Sequence, residues 1–161
     1  MDFRIRPATI DDVSSIIPLW KELSVLHERL DKSFELSSDA ETHYFSYLHT
    51  ILESQKKNET FLFVAEINDT KKIAGYIMGV RAKNPPVFKI KEFGSIYDIC
   101  VTEQFRRQDI GMNLVSEVKK WCKNQGIERV EMSAALKNPV AIAFWKNMGF
   151  TPYMEKMYFK F

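Results

Sequence analysis

Between residues 93 and 135 the chain reads as strand, helix, strand, and no other segment restricts the fold as much. The apolar run FGSIYDICV (93–101) leads through a short polar loop into a helical stripe of Ile110, Leu114, Val115, Val118, Trp121 and Cys122 that stops at Gly126. ERVEMSAA (128–135) then returns to a strand pattern. Strands joined through such a crossover lie parallel in one sheet, with the helix on one face. The remaining segments must supply the other strands and cover the other face.

They do so in order. FRIR (3–6) alternates apolar and basic residues, as a short strand does. Thr9, with Asp12 three residues on, resembles a capping box, and Val13, Ile16, Ile17, Trp20, Leu23, Leu26 and Leu30 recur at helical spacing. Pro18 falls inside that pattern, where it removes a backbone hydrogen bond at a cost of about 3 kcal/mol, so a kink or broken turn is expected there. After the polar stretch DKSFELSSD, a second helix is expected at about 39–56, striped by Tyr44, Tyr47, Leu48, Ile51 and Leu52. FLFVAEI (61–67) and KIAGYIMGV (72–80) flank the turn NDTKK and read as a strand hairpin. A short helix from Pro139 to Met148 stops at Gly149, and YMEKMYFKF (153–161) alternates as a closing strand. The order predicts an α/β (α+β) fold, a mixed sheet with helices on both faces. With 161 residues, the expectation is one domain over 1–161.

Charge and cysteine usage narrow the function. Lys and Arg number 23 against 21 Asp and Glu, a net charge of +2, too small to imply a nucleic-acid partner. Cys100 and Cys122 have no CxxC or Cys/His spacing, which suits free buried thiols in a reducing compartment. The charged start MDFRIRP does not resemble a signal peptide, and no run approaches the ~20 apolar residues of a membrane span. The expectation is a cytoplasmic protein with no membrane partner. His27, His43 and His49 lack paired ligand spacing, so no metal site is expected.

Two segments carry chemistry. In IYDICVTEQFRRQDIGMNLV a strand passes through a basic loop directly into a helix. The first N–H groups of a helix have no intrahelical acceptor and sit at the positive end of its dipole, so main-chain donors there can hold a phosphate. Arg106 and Arg107 add charge, and Gly111 would let a ligand approach the backbone. The same residues also suit two surface arginines before an ordinary helix. In LKNPVAIAFWKNMGF, Asn138 and Pro139 suit a helix start and Gly149 a helix stop, with no ligand required.

Together the two segments resemble the GNAT family of N-acetyltransferases from about residue 61 to the end. Arg106, Arg107, Gln108, Asp109, Ile110 and Gly111 match the family's pyrophosphate loop. Asn138, Ala141, Phe144, Trp145, Gly149 and Phe150 match its later motif. The resemblance implies a splayed sheet of six to seven strands, in which the strand ending at Val101 and the strand at 128–135 part to admit acetyl-coenzyme A as co-substrate. Main-chain groups of Ile99, Cys100 and Val101 would pair with its pantetheine arm, and residues Arg106 to Met112 (Arg107, Gln108, Asp109, Ile110 and Gly111 between them) would hold its pyrophosphate. Asn138 and Trp145 would flank the arm near the thiol.

The sequence departs from the family pattern twice. Asp109 stands where the loop has its first glycine, and two unit charges ~8 Å apart in water repel by ~0.5 kcal/mol. Asp tolerates left-handed dihedrals better than most residues, so the loop geometry can survive. Trp145 stands where many members have a tyrosine thought to protonate the departing thiolate, and an indole is no useful acid. Tyr97 and Tyr153 are candidate substitutes or structural tyrosines. Asp98, or Glu131 on the facing strand, could take the proton of the amine, and either also reads as a structural or surface carboxylate.

By family analogy the acceptor site lies between the first helix pair and the 81–92 loop, where His27, Glu28, Asp31, Glu35 and Asp39 are candidates for meeting a cationic amine or form a solvated charge run. The reading is an acetyl-coenzyme A dependent N-acetyltransferase acting on a primary amine of a small molecule or protein. A non-catalytic acyl-coenzyme A sensing module is the alternative, and a protein-interaction subunit on the same fold a weaker one. Dimers are frequent among proteins it resembles, so a homodimer is one expected assembly.

Overall fold

A computed structural model describes residues 2–161. One sheet holds β1 (Phe3–Pro7), β2 (Thr60–Ile67), β3 (Ile73–Lys83), β4 (Glu92–Val101) and β5 (Val130–Met132), in spatial order β1-β2-β3-β4-β5. The first four are antiparallel neighbours, and β5 lies parallel to β4. The helices are α1 (Val13–Leu30), α2 (Ala40–Gln55), α3 (Ile110–Asn124) and α4 (Pro139–Asn147), with short 3-10 turns at Ile10–Asp12, Lys32–Phe34 and Glu103–Phe105.

Strand alternation divides the apolar residues between two cores. Leu62, Val64, Tyr76, Met78 and Cys100 point to the face covered by α1 and α2, where Ile16, Trp20, Leu48 and Ile51 meet them. Phe61, Phe63, Ala65, Ile77 and Ile96 point to the other face, against Ile110, Leu114, Val118 and Trp145 of α3 and α4. Because β2 is covered on both sides, all its residues are buried and it reads as a continuous apolar run rather than an alternating one.

The sheet has five strands, not six or seven. β5 covers only the middle of the 128–135 segment, and residues 153–161 form no strand. Among the described residues, 151–161 make no backbone hydrogen bond, and Met154, Met157, Tyr158 and Phe159 are exposed. Alternation records that a segment suits a pleated surface but supplies no partner, and β5 offers only three residues of edge. The tail instead meets β5 through side chains: the Tyr153 hydroxyl donates to Glu131 Oε2 at 2.7 Å, and the Arg129 guanidinium lies 4.6 Å from the Tyr153 ring centroid. At Pro18 the helix runs unbroken, and the irregular turn precedes it at Ile10–Asp12.

Buried charge fastens the N-terminal strand to the first helix. Glu66, 4% exposed, accepts hydrogen bonds from Arg4 and Arg6, and Arg6 also grips both oxygens of Asp12 at 2.7 and 2.8 Å. Asp12 accepts the Thr9 N–H as well. Burial pushes the Asp12 carboxyl up, but the bonds from Arg6 and Thr9 outweigh it and hold it below its ordinary value. Hydrogen bonds from Arg6 hold Glu66 low too. A carboxylate with a lowered native pKa contributes stability above its unfolded pKa and loses it as pH falls through the native one. Asp12→Asn should cost about 2 kcal/mol at pH 7. In urea unfolding the gap to the parent should narrow as pH falls below ~4.

Candidate active site

β4 and β5 pair only through Gly94–Ile96 and Val130–Met132. Beyond that, Tyr97 to Val101 have no partner on the β5 side, so main-chain donors and acceptors of Ile99, Cys100 and Val101 border an opening in the sheet. Tyr97 is the extra residue of a bulge: Met78 faces Asp98 and Gly79 faces Ile96, and Tyr97 is left out of the β3 ladder.

Past Val101 the chain makes the short turn Glu103–Phe105 and enters α3. Arg107 and Asp109 both have φ of 61°, in the left-handed region, and such alternation turns successive N–H groups toward one side. Among the described residues, the N–H groups of 107–112 have no acceptor in the protein; the first paired one is Asn113, to Asp109 O at 3.0 Å. Unpaired donors at the positive end of a 15-residue helix are groups that can accept an anion.

The side chains around it have other engagements. Arg106 turns back, its Nε donating to Val101 O at 2.9 Å and its guanidinium paired with Glu22 of α1. Arg107, Asp109 and Met112 are exposed, Gln108 is half-buried, and Ile110 is buried in the core, so it can offer a ligand only its main chain. The space beside Gly111 faces the Phe144 ring, which a Cβ there would meet at 3.4 Å, about van der Waals contact. Asn138 Oδ1 accepts the Ala141 N–H at 3.0 Å and caps α4. Trp145 is buried between Phe144 and Phe150, with ring centroids 5.1 and 5.0 Å away, and its indole N–H has no acceptor among the described residues.

On the α1–α2 face of β4 lies a carboxylate among tyrosines. Asp98 Oδ2 accepts the Tyr44 hydroxyl at 2.8 Å and lies 3.4 Å from the Tyr76 hydroxyl, while the two hydroxyls are 3.1 Å apart. Burial pushes the Asp98 carboxyl above its ordinary value, against the opposing bonds from Tyr44 and Tyr76. Tyr97, 52% exposed, sits beside it. Tyr153 is separate, its hydroxyl committed to Glu131, and that bond raises its pKa. Burial pushes the Cys100 thiol up to about 12 and Cys122 to about 11, and both are free. Such thiols are not nucleophiles at neutral pH.

The acidic residues of the first helix pair are mostly engaged locally: Glu28 with Lys32, Asp31 with the Ser33 N–H, Asp39 with Ser37 and His43. Glu35 is exposed, and His27 packs against Phe34 at 5.6 Å. In the 81–92 segment Arg81 and Glu92 pair with each other. Among the described residues no three His, Cys, Asp or Glu side chains gather as a metal site, and no helix is long and apolar enough to cross a membrane. Sequence reasoning missed Glu22, Tyr44 and Tyr76. Tyr44 was visible only as one member of an inward helical stripe, 54 positions from the carboxylate it touches.

A family model described as the acetyltransferase (GNAT) family matches residues 23–150. The chain is 27% identical to an uncharacterized N-acetyltransferase of Methanocaldococcus jannaschii, over 92% of this chain and 60% of that protein. It is 28% identical to an N-alpha-acetyltransferase of Sulfurisphaera tokodaii, over 92% and 80% respectively. A solved structure of a predicted acetyltransferase with acetyl-CoA from Clostridium acetobutylicum superposes with a TM-score of 0.78 at 18% identity, covering 99% of this chain and 96% of that one.

Asp109 occupies a left-handed position that glycine adopts without strain. Asp109→Gly should therefore leave stability unchanged or raise it by up to about 1 kcal/mol, while Asp109→Val, β-branched, should lower it by at least that much. Thermal unfolding of the three proteins checks the order.

Proposed function

The chain belongs to the GNAT acetyltransferase family, and from that premise we propose an acetyl-coenzyme A dependent N-acetyltransferase that passes the acetyl group directly to a primary amine of a small molecule or protein. One observation carries this reading. The parting of β4 from β5 leaves main chain of β4 without a strand partner, and one short turn further along the chain six consecutive N–H groups, 107–112, are unpaired among the described residues, which supports holding an extended thiol arm and a diphosphate by main chain.

Bound acetyl-coenzyme A supplies an activated thioester. In this proposal the open main chain of Ile99, Cys100 and Val101 holds its pantetheine arm, and residues 106–112 its pyrophosphate. Arg106 contributes by pinning the loop to Val101 as much as by its charge. Asn138 and Trp145 border the arm from α4, Trp145 through its unpaired indole N–H. Positioning and aligned main-chain dipoles supply most of the acceleration, and no covalent enzyme intermediate is needed.

An alkylamine near pKa 10 arrives protonated at pH 7 and must lose that proton to attack. Asp98 is the proposed acceptor, directly or through water, because it lies on the strand that holds the thioester and burial has made its carboxylate a better base. A departing thiolate with pKa ~8.5 needs little help. Tyr97, exposed beside Asp98, is the better placed tyrosine to protonate it, since the Tyr153 hydroxyl is already donated to Glu131. The proposal extends to one domain over 1–161 working in the cytoplasm, where two free buried thiols are at home, with no nucleic acid or membrane partner and a homodimer as one assembly.

The test is release of free thiol from acetyl-coenzyme A in the presence of polyamines, aminoglycosides and peptide N-termini. Release with at least one amine is expected, and tight coenzyme A binding with no release on any of them would overturn catalysis in favour of sensing. By calorimetry, Asp109→Gly should tighten coenzyme A binding about twofold, for ~0.5 kcal/mol of repulsion removed. Arg106→Ala should loosen it; no change in either variant would move the pyrophosphate elsewhere.

A further inference from the structure

Nothing in the acetyl-transfer reading accounts for the two tyrosines on Asp98. Tyr44 comes from α2 and Tyr76 from β3, both buried, and they meet the carboxylate from one side. A hydroxyl donates once. With Tyr76 O–H directed to the Tyr44 oxygen at 3.1 Å and Tyr44 O–H to Asp98 Oδ2 at 2.8 Å, the two protons run in one direction and end on the carboxylate. The other oxygen, Oδ1, accepts no hydrogen bond from any described residue and is not buried. One oxygen is thus tied and the other is open.

We infer that Tyr44, backed by Tyr76, is the positioning residue of Asp98: it anchors Oδ2 so that Oδ1 presents a free lone pair to the proton of the acceptor amine. The inference rests on the acetyl-transfer reading and deepens it. Tyr44 suits the task because its ring is fixed, stacked on Trp20 of α1 with centroids 4.1 Å apart and planes 9° from parallel. A rigid donor fixes an oxygen where a flexible lysine would not. Both helices of this face therefore take part in aiming one carboxylate on β4.

The groups facing Asp98 are few. They are His27 from α1, Tyr44 and Tyr47 from α2, Tyr76 and Met78 from β3, and Tyr97 and Cys100 from β4 itself. Of these, the hydroxyls of Tyr44 and Tyr76 alone are within hydrogen-bond distance of the carboxylate. The Tyr44 bond, reinforced by Tyr76 behind it, favours the ionised form, so losing it leaves burial unopposed.

The experiment compares the parent with Tyr44→Phe and Tyr76→Phe, both of which keep the ring. The Asp98 carboxyl is followed by 13C NMR as pH is raised, with Asp98→Asn identifying its signal, so the readout needs no acceptor. Tyr44→Phe should move the titration upward by about one pH unit, and Tyr76→Phe by less in the same direction. With an amine that the parent accepts, the rising limb of kcat/KM against pH should move with it, while coenzyme A affinity stays constant. A purely structural tyrosine would lower the melting temperature and leave the kcat/KM limb in place, and either that result or an unmoved carboxyl titration overturns the inference. If Tyr44→Phe does not fold, an unmoved titration in Tyr76→Phe does the same. A parent that releases no thiol with any amine instead sinks the transfer reading itself.

Discussion

Three residue pairs hold β5 to β4, and the rest of the molecule follows from their stopping there. A parallel neighbour that continued along β4 would have taken up the main-chain groups of Tyr97 to Val101. Because it does not, the centre of a closely packed domain contains an extended strand with one unpaired edge. Such an edge is costly in an interior and useful at a cleft, since the same groups that lack a protein partner can serve a ligand. The helix that joins the two strands begins after the short turn Glu103–Phe105 and the 106–109 loop, so the unpaired edge and the unpaired amides at the start of α3 belong to one crossover.

The two faces of the sheet divide the work. α3 and α4 close one face with apolar packing, in which Phe144, Trp145 and Phe150 form an edge-to-face cluster. The opposite face carries Asp98 and its tyrosines under α1 and α2. The bulge at Tyr97 joins these roles, because it removes one residue from the β3 ladder next to the carboxylate. The buried ion network of Arg4, Arg6, Asp12 and Glu66 ties β1, β2 and the start of α1 together at a distance from the site.

Local chemistry was legible in the sequence wherever local rules decide the outcome. The helices at 40–55 and 110–124, the Asn138 cap and the left-handed tolerance of Asp109 follow from periodicity and backbone preference, and the structure has each of them. Pairing was less legible. The tail 153–161 has the alternation of a strand and no edge long enough to join, and the 128–135 run keeps only its middle as β5. The site divided along the same line. The 106–112 loop could be singled out from its motif, and Asp98 and Ile99–Val101 through the resemblance it supports, whereas Glu22 and Tyr44 meet Arg106 and Asp98 from helices 84 and 54 positions away along the chain. No periodicity encodes such a meeting. Arg106 could be recognised as the loop's cation, but its engagement with α1 could not.

That engagement changes what occupancy of the loop means. Arg106 is not an idle cation awaiting a guest, because it already holds a carboxylate of α1 and a carbonyl of β4. Any anion that recruits its guanidinium must compete with Glu22, so capture there is an exchange of partners rather than a fresh attraction. The pair thus links the loop to a helix on the other face of the sheet, and a change of partner at Arg106 is felt at Glu22 as well.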